Sequence, residues 1–295
     1  MAQLLLFFWG MSKRCPHCQA DKSEFSKFGH FVRRSDRKII QRFRCKQCLK
    51  TFSNASFQSC YRQNKRQINP VIEKLLVSCV SQRRIAKLLN ISRTTVVRKF
   101  QFLGIQARQK NLKTLRSSQI QSFQFDDLET FEHSKCKPIS VIMAVENKTR
   151  KILGFRTSTM AAKGLLAKIA KKKYGFRKDT RSQGRKSLFQ EIQPQVSPEA
   201  EIWSDKSPHY PDDVKKYFPQ ARHKTSKGRR GCVVGQGELK SGGYDPLFTL
   251  NHTFAMLRAN INRLVRKTWC TSKKIENLAL HIEIYVSWHN RKIIS

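Results

Sequence analysis

Ser122-Phe123-Gln124-Phe125-Asp126-Asp127-Leu128 alternates aromatic with polar side chains and then presents two adjacent carboxylates. That period of two predicts a strand whose phenylalanines face a core. Taken alone, the acidic pair reads as a strand leaving the core through a polar turn. A second stretch of the same build, Glu201-Ile202-Trp203-Ser204-Asp205, shifts the balance, because it again ends a short apolar run on an aspartate. A helix over 250–267 follows and opens on Asn251. In a chain with 20 Asp and Glu in all, carboxylates gathered at two strand ends predict a site for divalent cations.

Working outward, strands are expected over 122–128, 138–146 and 151–157, with Asn147-Lys148-Thr149-Arg150 as the turn between the last two. A helix over 161–174 follows, then a basic, irregular stretch, 175–186, with the composition of a mobile loop. A short segment at 187–192 precedes a fourth strand, 200–204, that ends at Asp205. Three strands, a helix and another strand describe a mixed α/β layer, not a bundle or a sandwich. Leu250, Phe254, Leu257, Ile261 and Leu264 recur at helical steps, one apolar stripe on a long helix. Asn251 and Arg258 lie about two turns apart on one face of it. On spacing alone Asn251 reads as a helix N-cap. A last helix, 275–288, packs through Leu278, Ile282 and Tyr285. The glycine-rich stretch 227–243 lacks a nucleotide-binding loop pattern, but its Glu238 is a carboxylate able to approach a metal.

Toward the N-terminus, Cys15-Pro16-His17-Cys18 and Cys45-Lys46-Gln47-Cys48 form two C-x-x-C pairs. Four thiolates at this spacing reach one tetrahedral Zn²⁺, and the 29–43 stretch between them has the texture of a hairpin. His17, inside a knuckle that already has its ligands, is a surface residue. A helix begins near Pro70, with Val71, Leu75, Leu76 and Cys79 at helical spacing. Residues 82–89, Asn90-Ile91-Ser92 and 93–100 then read as helix-turn-helix. Asn90 tolerates the left-handed turn, Ser92 caps the second helix, and Ala86, Ile91 and Val96 form the small contact between helices. Arg93, Thr95, Arg98 and Lys99 fall on the second helix's outer face, able to reach phosphates and base edges. Arg263, Arg266 and Lys267 extend a basic surface near the C-terminus.

Fifty-nine Lys and Arg leave a net charge of +39, which makes nucleic acid the expected partner. No stretch approaches the roughly 20 apolar residues needed to span a bilayer, so no membrane partner is expected. Residues 1–10 are apolar but lack a basic leader, and Met11 reads as a natural start, which makes 1–10 a mis-set beginning. Nine cysteines without a paired framework predict a reducing cytoplasm.

Arg258-Ala259-Asn260-Ile261-Asn262-Arg263-Leu264-Val265-Arg266-Lys267-Thr268, placed after Asn251, resembles the C-terminal catalytic helix of DDE-type transposases of the insertion-sequence-one group. The order of parts is similar too: a zinc ribbon ending Arg44-Cys45-Lys46-Gln47-Cys48-Leu49-Lys50-Thr51-Phe52, a helix-turn-helix, then a catalytic domain. The resemblance implies a zinc ribbon over 11–60, a helix-turn-helix over 61–105, a basic linker over 106–118 and a ribonuclease-H-like α/β domain over 119–295. It implies Asp126 and Asp205 as the first two catalytic acids, Asp127 as a neighbour only, and Arg258 as the basic residue seven positions after the third acid. At that third position Asn251 stands where the family has Glu, with Glu238 as a rival ligand. His223 matches a family position, whereas His209 and His252 read as surface histidines. The implied cofactors are one structural Zn²⁺ and two catalytic Mg²⁺ or Mn²⁺ ions. The implied activity is strand cleavage and strand transfer on double-stranded DNA, at element ends and target, by a dimer or larger assembly at the nucleoid. A DNA-binding relative that no longer cuts and a structure-specific nuclease are the alternatives.

Overall fold

A computed structural model describes residues 14–34, 36–117, 119–227, 245–265 and 274–294. The chain divides into two compact units, 1–70 and 71–295.

In the first unit, β1 (Phe25–Val32), β2 (Ile39–Cys45) and β3 (Thr51–Ser53) form an antiparallel sheet in that order. Its core is small: Cys15, Ala20, Cys45 and Phe52 are buried, with Phe25, Phe43 and Cys48 packed against them. Phe25 meets Phe52 edge to face at 4.8 Å. So little apolar area cannot hold a fold of this length by itself.

The second unit opens with α1 (Asn69–Leu76), α2 (Gln82–Leu88) and α3 (Arg93–Arg116). The buried face of α1 is Ile72 and Leu76, while Val71 is exposed, so the stripe lies one residue away from the expected one. Cys79 is outside the helix, in a left-handed turn (φ 61°). Ser81 and Ser92 cap α2 and α3, accepting from the amides of Arg84 and Thr95, and Asn90 takes the left-handed conformation (φ 47°) between them. The expected linker, 106–118, is helix through Arg116. Its Lys, Arg, Gln and Leu are strong helix formers, and Ala107 and Leu115 supply buried anchors that a charge-based reading overlooked.

The sheet holds five strands in the order β6-β5-β4-β7-β8: β4 (Ile120–Phe131), β5 (Pro138–Glu146), β6 (Ile152–Thr159), β7 (Val196–Asp205) and β8 (Arg222–Ser226). β4, β5 and β6 are antiparallel neighbours, whereas β7 runs parallel to β4 and β8 parallel to β7. This mixed sheet with helices is compatible with a ribonuclease-H-like fold. Between the strands lie α4 (Leu166–Tyr174), α5 (Arg181–Ile192) and α6 (Tyr210–Tyr217), and α7 (Phe248–Asn260) and α8 (Ile275–Ile294) complete the unit. On one face Phe123 and Phe125 pack with Leu188, Phe189 and Ile192 of α5 and Tyr210 and Val214 of α6. On the other, the side-chain amide of Gln124 accepts from the Leu250 amide (3.0 Å) and donates to the Pro246 carbonyl (2.9 Å), fixing the start of α7.

Several boundaries depart from the expected ones. The 175–186 loop ends at Arg181, where α5 begins and absorbs 187–192. α6 and β8 were not foreseen. The predicted helix over 250–267 stops at Asn260, whose side chain donates back to the Met256 carbonyl (2.8 Å), and Ile261 is extended. The stripe nonetheless stays buried to Leu264, through a short 3-10 turn.

Candidate functional site

β4 and β7 pair in parallel from Ser122↔Glu201 to Gln124↔Trp203. Two residues further along each strand stand Asp126 and Asp205, on neighbouring strands where the parallel ladder ends. Asp126 is thus not at the end of β4, as the sequence suggested, but in its middle: β4 continues against β5 to Phe131↔Pro138. Burial, then the charge of Asp205, pushes the Asp126 carboxyl up to about 7. Asp127's amide (2.7 Å) and the Tyr210 hydroxyl (3.1 Å) donate to Asp126 Oδ1 and offset part of that. The same hydroxyl reaches Asp127 Oδ2 at 3.2 Å, and Ser140 Oγ donates to Asp127 Oδ1. Asp205 Oδ1 accepts from the Ser207 amide (3.0 Å).

Tyr210 is a residue that sequence reasoning missed. It is buried beside Phe125, its ring lies 5.1 Å from the Arg185 guanidinium carbon, and Arg185 pairs with Asp213 in the interior. The legible signal was Tyr210-Pro211-Asp212-Asp213, a helix start directly after an aspartate-terminated strand.

Asn251 is not the N-cap that spacing implied. Its amide bonds to the Leu247 carbonyl (2.9 Å) inside α7, and its exposed side chain donates to Asp245 Oδ2 (2.9 Å). The N-cap is Leu247, without a side-chain cap bond, and Asp245 accepts from the Leu247 amide (3.0 Å) in the turn that precedes the helix; the Asp-Pro pair there was the overlooked sign. Arg258 is half-buried on the same helix. His223, on β8 opposite Ile202, bonds Ser204 Oγ (2.9 Å) and stacks near Phe125 (6.3 Å), and burial lowers its pKa. His209 is exposed, and His252 contacts Arg150 (3.3 Å). Glu238, Arg266 and Lys267 lie outside the described residues.

On α3, Arg93 and Arg98 are exposed and Thr95 bonds Ser92 Oγ (2.8 Å). Lys99 is buried, 5% exposed, and does not belong to that outer face: it follows Arg98 by about 100° around the helix, toward the packed side. Arg263 likewise is not on open surface, since its guanidinium sits 5.3 Å from the centre of the Phe100 ring and burial lowers its pKa.

In the first unit the four sulfurs of Cys15, Cys18, Cys45 and Cys48 lie within 4.8 Å of one another, with Cys15–Cys48 at 3.7 Å and Cys18–Cys45 at 3.6 Å. A tetrahedron with Zn–S bonds of about 2.3 Å has edges of about 3.8 Å, so the cluster could bind zinc. Each pair sits on its own turn, and the two turns have the same form. Gln19 and Leu49 are left-handed (φ 64° and 59°), and their amides donate to Cys15 and Cys45 carbonyls.

Among the described residues, no helix is long and apolar enough to cross a membrane. No family model and no curated protein matches the chain. Among solved structures, a chain in the cryo-EM structure of the simian T-cell lymphotropic virus intasome in complex with PP2A regulatory subunit B56 gamma is similar at 12% identity and a TM-score of 0.31, over 73% of this chain. This chain covers 64% of that one, and a likeness of this size leaves function to be argued from the site.

Proposed function

We propose that the chain is a metal-dependent DNA transposase of the insertion-sequence-one type. The observation that carries the reading is Asp126 beside Asp205 on adjacent parallel strands of a mixed sheet, with the Asp126 carboxyl pushed toward neutrality by burial first and by its neighbour second. Two buried-edge carboxylates that repel each other suit a hard cation, because their donors are oxygens only. Mg²⁺ or Mn²⁺ bound there would supply activation of the attacking oxygen and stabilisation of the leaving oxygen in phosphoryl displacement. Asp126 and Asp205 would hold the ions. Tyr210 fixes the orientation of Asp126 and Asp127, Asn251 is the third ligand by resemblance, and Arg258 steadies the strand being cut. Arg93, Thr95 and Arg98 at the start of α3 read DNA as a helix-turn-helix, and the four-cysteine unit is a zinc ribbon. Joining two element ends calls for a dimer or larger assembly at the nucleoid.

Asp126→Ala and Asp205→Ala are each expected to abolish Mn²⁺-dependent nicking and joining at the element's own end while leaving DNA affinity intact. Equal cleavage by both variants and parent would remove the catalytic assignment. One observation favours a second reading, a DNA-binding protein that no longer cuts: Asn251 lacks the charge of the family's Glu and is engaged with Asp245. A parent that binds element ends and never nicks them would establish it. Cutting of branched DNA without joining would point to a nuclease.

A further inference from the structure

The first unit carries a groove of about 340 Å³ that the proposed reading does not use. It opens between the β1–β2 hairpin and the segment that follows β3. Arginine dominates its walls, with Arg34, Arg42, Arg62 and Arg66 among the lining residues. Asp36 is the acid that meets this group among the described residues, pairing with Arg33 and lying 3.9 Å from Arg66. Arg42 Nε and Arg66 Nη2 are buried, and among the described residues neither has a hydrogen-bond acceptor. The lining arginines open to an anion are Arg34 and Arg62, both exposed.

Two aromatic rings share the groove. Phe31 is 39% exposed and Tyr61 45%. Tyr61 is held by its amide's bond to the Gln58 carbonyl (2.9 Å), and left-handed residues at Arg62 (φ 63°) and Lys65 (φ 48°) turn the chain beside it. The Arg62 guanidinium carbon stands 5.5 Å from the Tyr61 ring centre.

We propose that this groove binds single-stranded nucleic acid, the arginines on phosphates and unpaired bases stacked on Tyr61 and Phe31. A duplex keeps its base faces inside and offers an aromatic ring only edges and sugars. An unpaired strand offers a π-face at each nucleotide, and a basic groove with exposed rings is the arrangement that exploits it. An acidic peptide would use the arginines and leave the rings idle. The inference rests on the transposase reading only in taking the strand to be DNA.

The test uses the full-length chain and fluorescence anisotropy without added divalent cation. The probes are a labelled oligothymidylate and a duplex of the same length. Tyr61→Ala is expected to weaken oligothymidylate binding about fivefold or more, and Tyr61→Phe to retain it, since the ring and not the hydroxyl stacks. Arg62→Ala should flatten the salt dependence of log K by about 0.7. Zinc content equal to the parent's reports an intact first unit; should Tyr61→Ala lose zinc, the exposed Arg34 and Arg62 variants carry the test. Unchanged oligothymidylate affinity in these zinc-retaining variants overturns the inference, as does a parent that ignores the single strand. Equal losses for duplex and single strand overturn it too, and make the groove a duplex surface. A parent that never cuts DNA, yet loses the single strand on Tyr61→Ala, would sink the enzyme reading and leave this one standing.

Discussion

Asp126 couples proton binding to folding at one side chain. Burial first and the Asp205 charge second raise its carboxyl from 3.8 to about 7. With the folded value above the unfolded one, the native state holds the proton more tightly. Its contribution to stability is full below about pH 4 and is lost as pH rises through about 7. Metal-free protein should therefore show a Tm that falls across that window relative to Asp126→Asn, and Mn²⁺ should restore the parent's Tm at pH 7. Parallel Tm–pH curves for the two proteins, with no response to Mn²⁺, would remove the case for a strained acid pair. Tyr210 belongs to the same scale: its hydroxyl divides itself between Asp126 and Asp127 across more than eighty positions of sequence. No local pattern announces a contact of that length.

Among the elements, α3 and α8 approach so closely that a Cβ on Gly104 would stand 2.8 Å from the Cβ of Leu280. Gly104→Ala is expected to cost about 1–3 kcal/mol through that clash, against the small gain in helix propensity an alanine brings at a solvated site. Urea unfolding of parent and variant checks it; a more stable variant would mean the helices part freely. β4 was legible because Phe123 and Phe125 alternate with polar side chains, and β5 because it is an apolar run buried without a break from Ile139 to Val145. The stripe from Leu250 to Leu264 was legible as well, but it marks burial and not helix, and it runs unbroken through the stop at Asn260. β8 was hidden because Arg222 to Ser226 is polar and takes its place by backbone pairing to β7. The true extent of α3 was hidden by charge, and the roles of Asp245 and Asn251 by an N-cap that is Leu247 and not Asn251.

For the molecule as a whole, the two units draw on different sources of stability. The first has four sulfurs at zinc-binding separations and few buried side chains, so metal binding and folding should be one event there. Cys45→Ser is expected to lose bound zinc and the thermal transition of residues 1–70 while the transition of 71–295 stays at the parent's temperature. Retention of zinc in that variant would overturn the four-thiolate assignment. The second unit's stability resides in its packed sheet, and α3 ties the capped turn at Ser92 to the sheet core at Leu115. Twenty-four residues without a break span about 36 Å. That is close to one turn of B-form DNA, about 34–36 Å. A tether at 106–118 would let the proposed metal site wander relative to the start of α3, and the continuous helix prevents that. On the proposed function this rod is a ruler: each residue deleted from α3 would shorten the reach by about 1.5 Å and swing the reading face through about 100°, so the distance from recognised bases to cut would be written into the length of a helix.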